Sequence, residues 1–151
     1  MIGPTPLYAL LRRLDIPFDY IEHPPLPTLD VAREVLRDRD VHLCKNLFFR
    51  NHKGNQHYLV ILSGDSSMDI HAIEHRLHEG KLTFASERRL QRYLGVTPGS
   101  VTPFALIHDT EHHVRVFLDK NLLQSSHLSF HPCLNTASLT LPLDGFIRLM
   151  D

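Results

Sequence analysis

Two apolar runs, Leu43 to Arg50 and Gln56 to Ser63, flank the short stretch Asn51-His52-Lys53-Gly54-Asn55. A glycine-containing loop between runs rich in Leu, Phe, Tyr and Val reads as a β-hairpin. Around it, Phe18 to Glu22, Leu82 to Ala85, Leu128 to His131 and Ala137 to Leu141 read as further strands. Ala105 to Ile107 and His113 to Asp119 read as a second hairpin around an acidic turn.

Helices are marked by caps and by apolar spacing. Thr5 can cap a first helix with Pro6 at its first position and Leu7, Leu10, Leu11 and Leu14 on one face. Thr28, after the proline loop His23 to Pro27, can cap a second that carries Leu29, Ala32 and Leu36. Asp69 to Gly80 and Ser86 to Gly95 are bounded in the same way, and Pro142 can begin a last helix with Phe146, Ile147, Leu149 and Met150. About seven strands and five helices result, with strands bunched as hairpins rather than alternating with helices. That order predicts an α+β fold with a mixed, largely antiparallel sheet and flanking helices.

The chain has 151 residues with 42% hydrophobic content, which fits one domain over 1–151. Cys44 and Cys133 lack CxxC spacing and are expected as reduced thiols. Met1-Ile2-Gly3-Pro4 has no positive leader, and no apolar run approaches the length of a membrane span, so a soluble cytoplasmic protein is expected, with no membrane partner. The net charge of −1 gives no overall attraction to nucleic acid, so any such contact must be local. Two basic groups, Arg33, Arg37 and Arg39, and Arg88, Arg89 and Arg92, read as solvated helix faces.

Twelve histidines raise the question of a metal. His71, His75 and His78 form one helical stripe, but HExxH is absent and Ile70, Ile73 and Leu77 supply the core stripe beside them. The stripe reads as a solvent edge, and no metal is expected. His112 and His113, adjacent before a strand, point to opposite faces and cannot chelate as a unit.

Within the hairpin, Lys45 and Asn46 interrupt an otherwise apolar run. An amide buried without a partner costs on the order of 1–3 kcal/mol, and a lysine pushed towards low dielectric loses its proton or finds an anion. Both residues are therefore site candidates, against the alternative that Lys45 reaches water from a strand end and Asn46 closes a turn. Gly95 to Phe104 holds two glycines, two prolines and three hydroxyls in ten residues. Its amides can form an anion nest, or it can be a plain helix-to-strand connection.

Four pieces then stand in order: His23-Pro24 with Thr28; Lys45-Asn46-Leu47-Phe48; Gly99-Ser100-Val101-Thr102-Pro103-Phe104; and Phe130-His131-Pro132 with Asn135-Thr136. In these the chain resembles the YbaK-type aminoacyl-tRNA editing domains, and among them the free-standing deacylases related to the editing insertion of bacterial prolyl-tRNA synthetase. The resemblance covers nearly the whole chain. It implies a sheet curved into a barrel-like core and a hydrolase acting in trans on alanine wrongly attached to proline tRNA. It implies no cofactor, and as partners the tRNA acceptor end and, transiently, prolyl-tRNA synthetase.

Carried over residue by residue, the resemblance makes Lys45, Gly99 and Ser100 catalytic, and Thr28, Asn46, Leu47, Val101, Pro103, Phe104 and His131 substrate-binding. Ser138 stands where many members have threonine. The ester of a charged tRNA is already activated, so orienting it and a water and stabilising the oxyanion can suffice. Amides around Gly99-Ser100 are the natural donors. Lys45 can act as a cation on a phosphate or oxyanion, or as a base, and His131 can orient a group or satisfy a turn. No serine or cysteine triad is evident, since Cys44 should face away from its neighbour Lys45. Selectivity should be steric, through a pocket that Leu47, Val60, Ile61 and Phe104 could line and that proline cannot enter. The competing readings are an ester of serine, threonine or cysteine as target, a module that binds tRNA or synthetase without turnover, and a metal hydrolase built on the histidines.

Overall fold

A computed structural model describes residues 1–25, 42–64, 69–78 and 80–150. Thr28, its helix and the arginines Arg33, Arg37 and Arg39 lie outside the described residues. Within them the elements are α1 (Thr5–Arg13), β1 (Asp19–Glu22), β2 (His42–Arg50), β3 (His57–Ser63), α2 (Ile70–Leu77), β4 (Thr83–Phe84), α3 (Glu87–Tyr93), β5 (Val114–Leu118), β6 (His127–Phe130), β7 (Ala137–Pro142) and α4 (Leu143–Met150). Short 3-10 turns cover Pro98–Ser100, Pro103–His108 and Lys120–Gln124.

The seven strands form one mixed sheet in the order β1-β7-β6-β2-β3-β5, with β4 pairing to β2 off this path. The α+β class and the β2–β3 hairpin are as expected, with Lys45 opposite Leu62 and Asn46 opposite Ile61. Two expectations are corrected. The sheet is an open path rather than a barrel, ending at β1 and β5. It is also less antiparallel than the sequence suggests, because β2 runs parallel to β6 and β3 parallel to β5.

The second correction has a local cause. Ala105 to Ile107 is part of a 3-10 turn, begun by Pro103 with its preset φ and capped by the Thr102 hydroxyl, which accepts from the Phe104 amide. With no strand there, β5 has no hairpin partner and docks instead beside β3, after a long crossover through α2 and α3.

The hairpin is buried on both faces. Phe48, Leu59 and Ile61 enter the main core with Leu7 and Leu11 of α1, Phe104, Phe130 and Phe146. Phe49, Tyr58 and Val60 form a smaller cluster against Ile70, Ile73 and Leu77 of α2. This two-sided burial explains why Tyr58 to Leu62 is continuously apolar instead of alternating.

Caps behave mostly as expected. The Asp69 carboxylate accepts from the Ala72 amide and the Ser86 hydroxyl from the Arg89 amide. Gly95, at φ +68°, closes α3 by donating to Leu90. Thr5 is the first helical residue and Pro4 the N-cap, so Thr5 does not cap α1. The C-cap of α2 is His78, left-handed at φ 54°, two residues before Gly80, which is also at positive φ, +82°. Among the described residues no helix is long and apolar enough to cross a membrane.

Candidate active site

Strand alternation divides β2. Lys45 and Leu47 share the face of Phe49 and the smaller cluster, while Cys44, Asn46 and Phe48 share the face of the main core. Cys44 thus faces away from Lys45 as expected; burial first, and then the Asp119 carboxylate, push its thiol up to about 12. A thiol held in that state is a poor nucleophile.

The two candidates lie on different faces: Lys45 shares the smaller-cluster face, whereas Val101 and Phe104 beside the glycine loop pack into the main core, so any shared site must lie at an edge of β2. β3 occupies one edge from Cys44 to Arg50. On the other edge, β6 pairs only at His42 and Leu43, and β4 only at Phe49 and Arg50. Among the described residues, residues 44–47 therefore have no strand paired on that edge, an interruption of the ladder called the slot below. The Leu43 carbonyl accepts from Gly64 on the β3 side, and the Phe48 carbonyl accepts from Ala85 on the β4 side. By the same parity the main-chain N–H and C=O of Asn46 turn to the slot.

The slot's far wall is the end of β6. The parallel register places His42 level with Leu128 and Leu43 with Ser129, and it stops there, with β6 ending at Phe130 just before His131. The ring of His131 donates from Nδ1 to the Ala137 carbonyl at 2.9 Å, because a carbonyl can only accept, which leaves Nε2 of the neutral ring as an acceptor. Burial is the main cause lowering the pKa of His131, with the nearby His23 adding to it and the Ala137 bond opposing. One nitrogen of His131 thus satisfies the turn, the structural role that the sequence offered for it.

Behind His131 stands a residue that sequence reasoning used only as a marker. His23 is buried, with Nδ1 donating to the Pro24 carbonyl at 2.9 Å and Nε2 accepting from the Ser138 hydroxyl at 2.7 Å. Its ring lies 6.0 Å from that of His131. Ala137 and Ser138, adjacent on β7, hold one imidazole each. Ser138, a departure from threonine in sequence, keeps the hydroxyl that this bond needs.

The glycine loop adjoins the same turn. A Cβ placed on Gly99 would lie 3.4 Å from Nδ2 of Asn135. Ser100 is buried, and its amide donates to the Thr97 carbonyl at 2.9 Å, so this amide is already engaged. Val101 is half-buried against the main core, and Pro103 is buried at the start of the second 3-10 turn. Phe104 is 1% exposed and packs edge-on to Phe130 at 5.7 Å, as wall rather than surface. Val60 and Ile61 are core, whereas Leu47 is half-buried.

Asn46 carries a further mark of a site. Its Oδ1 is buried and has no hydrogen-bond partner among the described residues, although the residue as a whole is half-buried. By contrast, a cavity of about 300 Å³ between α1, the Pro103–His108 turn, β5 and α4 is lined by Leu7, Leu10, Phe104, Ile107, Val116 and Met150, among others. It is far too roomy to separate an alanyl from a prolyl group by size.

The histidines elsewhere do structural work. His71, His75 and His78 are exposed on α2, and among the described residues no three His, Cys, Asp or Glu side chains are grouped to hold a metal. His57 is fully buried between Arg89, which donates to its Nε2 at 3.0 Å, and Nε2 of His113 at 2.8 Å. Since Arg89 can only donate, the proton of neutral His57 sits on Nδ1 and is donated to His113. Arg89 also donates to the Gly54 carbonyl, so it braces the hairpin loop and is not merely a solvated face.

Burial first, then His113, Arg89 and other arginines, lower the pKa of His57 to about 4. The unfolded chain takes up that proton near pH 6.5 and the native state does not until about pH 4. Stability is therefore complete above about pH 6.5 and falls as the pH drops through this window, by about 3 kcal/mol from this group. Urea titrations of wild type and His57→Gln at pH 7 and pH 4.5 should show the wild type losing more of its stability on acidification. Equal losses would contradict this account of His57.

The model of the aminoacyl-tRNA editing domain matches residues 23–149. The chain belongs to the aminoacyl-tRNA editing domain family. Among relatives of this editing domain, the prolyl-tRNA editing protein ProX of Acetoanaerobium sticklandii is 37% identical over 142 residues, covering 94% of this chain and 87% of the relative. The prolyl-tRNA synthetase associated domain-containing protein 1 of Danio rerio is 31% identical, covering 96% and 79%. The crystal structure of hypothetical protein APE2540 shares the fold with a TM-score of 0.77 at 17% identity, covering 94% of this chain and 91% of that one.

Proposed function

We propose that this protein is a free-standing editing deacylase that hydrolyses the ester of mischarged tRNA, with alanine on proline tRNA as its substrate. What supports the reading is the interrupted ladder beside Lys45 and Asn46, where the Asn46 Oδ1 is buried with no partner among the described residues. The similarity to a prolyl-tRNA editing protein over nearly the full length supports the same substrate class.

In this reading the acyl ester lies in the slot. Lys45, on one lip, holds a phosphate of the terminal nucleotide or the developing oxyanion as a cation. The oxyanion donors are main-chain amides at Gly99 and at Asn46, since the Ser100 amide is spent on Thr97. Nε2 of His131 accepts from the attacking water or a ribose hydroxyl. That hydroxyl lies beside the bond to be broken and can carry the proton to the leaving oxygen. Val101, half-buried beside the glycine loop, bounds the acyl side chain and excludes proline by size, while Leu47 faces the smaller cluster and Phe104 lines the roomy cavity. The protein acts on its tRNA in the cytoplasm and meets prolyl-tRNA synthetase only transiently.

A panel of mischarged tRNAs tests this. Alanyl-tRNA(Pro) should be deacylated fastest by the purified protein and prolyl-tRNA(Pro) left intact. Faster loss of seryl-, threonyl- or cysteinyl-tRNA would move the substrate to a polar side chain. Tight tRNA binding without loss of any ester would make the protein a binding module.

A further inference from the structure

The slot is closed at its second end by β4, and there the surface changes character. Phe84 is 63% exposed, yet its ring is held flat against buried Phe49, with centroids 4.5 Å apart and planes 29° from parallel. Phe84 and Phe49 are also directly opposed in the β2–β4 register. A phenyl ring fixed on one face and open on the other is a prepared stacking surface.

Its position ties it to the candidate site. Phe49 lies on the same face of β2 as Lys45, four residues further along, which is about 13 Å in a strand. That is a separation of a few nucleotides from the point where the ester would lie. Lys81 and Arg88, both exposed and flanking β4 in the chain, can each reach a phosphate, while Glu87 is exposed beside them and Glu74 is held by the Leu82 amide. An aromatic platform with cations in reach is suited to an unpaired nucleotide, because every base offers a π-face.

We infer that Phe84 stacks a base of the single-stranded 3′ end of tRNA, just before the terminal nucleoside whose ester enters the slot. The inference rests on the proposed deacylase reading for the placement of that ester. Phe84 holds the strand and touches no reacting atom.

The test uses the full chain and two synthetic RNA hairpins with the acceptor-stem sequence of proline tRNA, one with the single-stranded 3′ overhang and one blunt. Their dissociation constants are measured for wild type, Phe84→Ala and Phe84→Trp, with thermal melts to confirm folding. Wild type should bind the overhang hairpin about 5- to 100-fold more tightly than the blunt one. Phe84→Ala should lose most of that ratio, and Phe84→Trp should keep it. An unchanged ratio in Phe84→Ala, or no preference for the overhang in wild type, overturns the assignment. Hydrolysis by wild type separates this result from the functional reading. Deacylation with an unchanged ratio defeats the platform alone, whereas a Phe84-dependent ratio with no deacylation defeats the enzyme alone.

Discussion

Lys45→Ala is expected to lower deacylation of alanyl-tRNA by about 100-fold or more, the range typical of losing one electrostatic contact to a developing oxyanion. Lys45 is a half-buried strand residue, and thermal melts of the variant serve to confirm that it is folded. Lys45→Arg divides the two chemical roles. A guanidinium retains the positive charge but cannot serve as a base near neutral pH, so partial recovery of the rate identifies a cation and none identifies a base. Single-turnover hydrolysis of the charged tRNA is the measurement. If wild type and Lys45→Ala release the amino acid equally, this lysine has no part in the reaction.

Phe104→Ala should be the most costly single truncation at the site's foundation, with a loss of about 3–5 kcal/mol of stability. Phe104 is 1% exposed and touches Phe130 edge-on, and Phe130 in turn stacks on Phe146 of α4 at 5.0 Å. These three rings join the glycine loop's continuation, the strand that ends in His131, and the last helix. Removing the first ring enlarges the cavity that Phe104 already lines and loosens the glycine loop that leads into it, so selectivity against prolyl-tRNA should weaken as well. Urea denaturation at neutral pH checks the first effect, and hydrolysis of prolyl-tRNA by the surviving folded protein checks the second. A loss below about 1 kcal/mol would mean that the neighbours collapse into the space, and the wall would then not be rigid.

The local chemistry of the chain already specified much of this. The β2–β3 hairpin followed from two apolar runs around a glycine loop, and Asp69, Ser86 and Gly95 bounded their helices because capping is settled by near neighbours. The oddity of Lys45 and Asn46 in an apolar run was also plain, since the cost of burying such groups does not depend on the fold. What escaped were features decided by distant partners. Ala105 to Ile107 has strand composition, but Thr102 and Pro103 start a 3-10 turn there, and Phe104 is drawn into the core. Parallel pairing of β3 with β5 and of β2 with β6 joins segments more than fifty residues apart, which no short window of sequence encodes.

The slot belongs wholly to the tertiary structure. It exists because β6 leaves β2 after Leu43 and β4 does not join until Phe49. The sheet's open ends, the bond between His23 and Ser138, and the loss of the Ser100 amide to Thr97 are of the same kind. Residue types fixed which groups could do chemistry and which faces had to be buried. Only strand order and register, set by packing between segments remote in the chain, determined which edge of β2 is left unpaired and which of its groups face that edge.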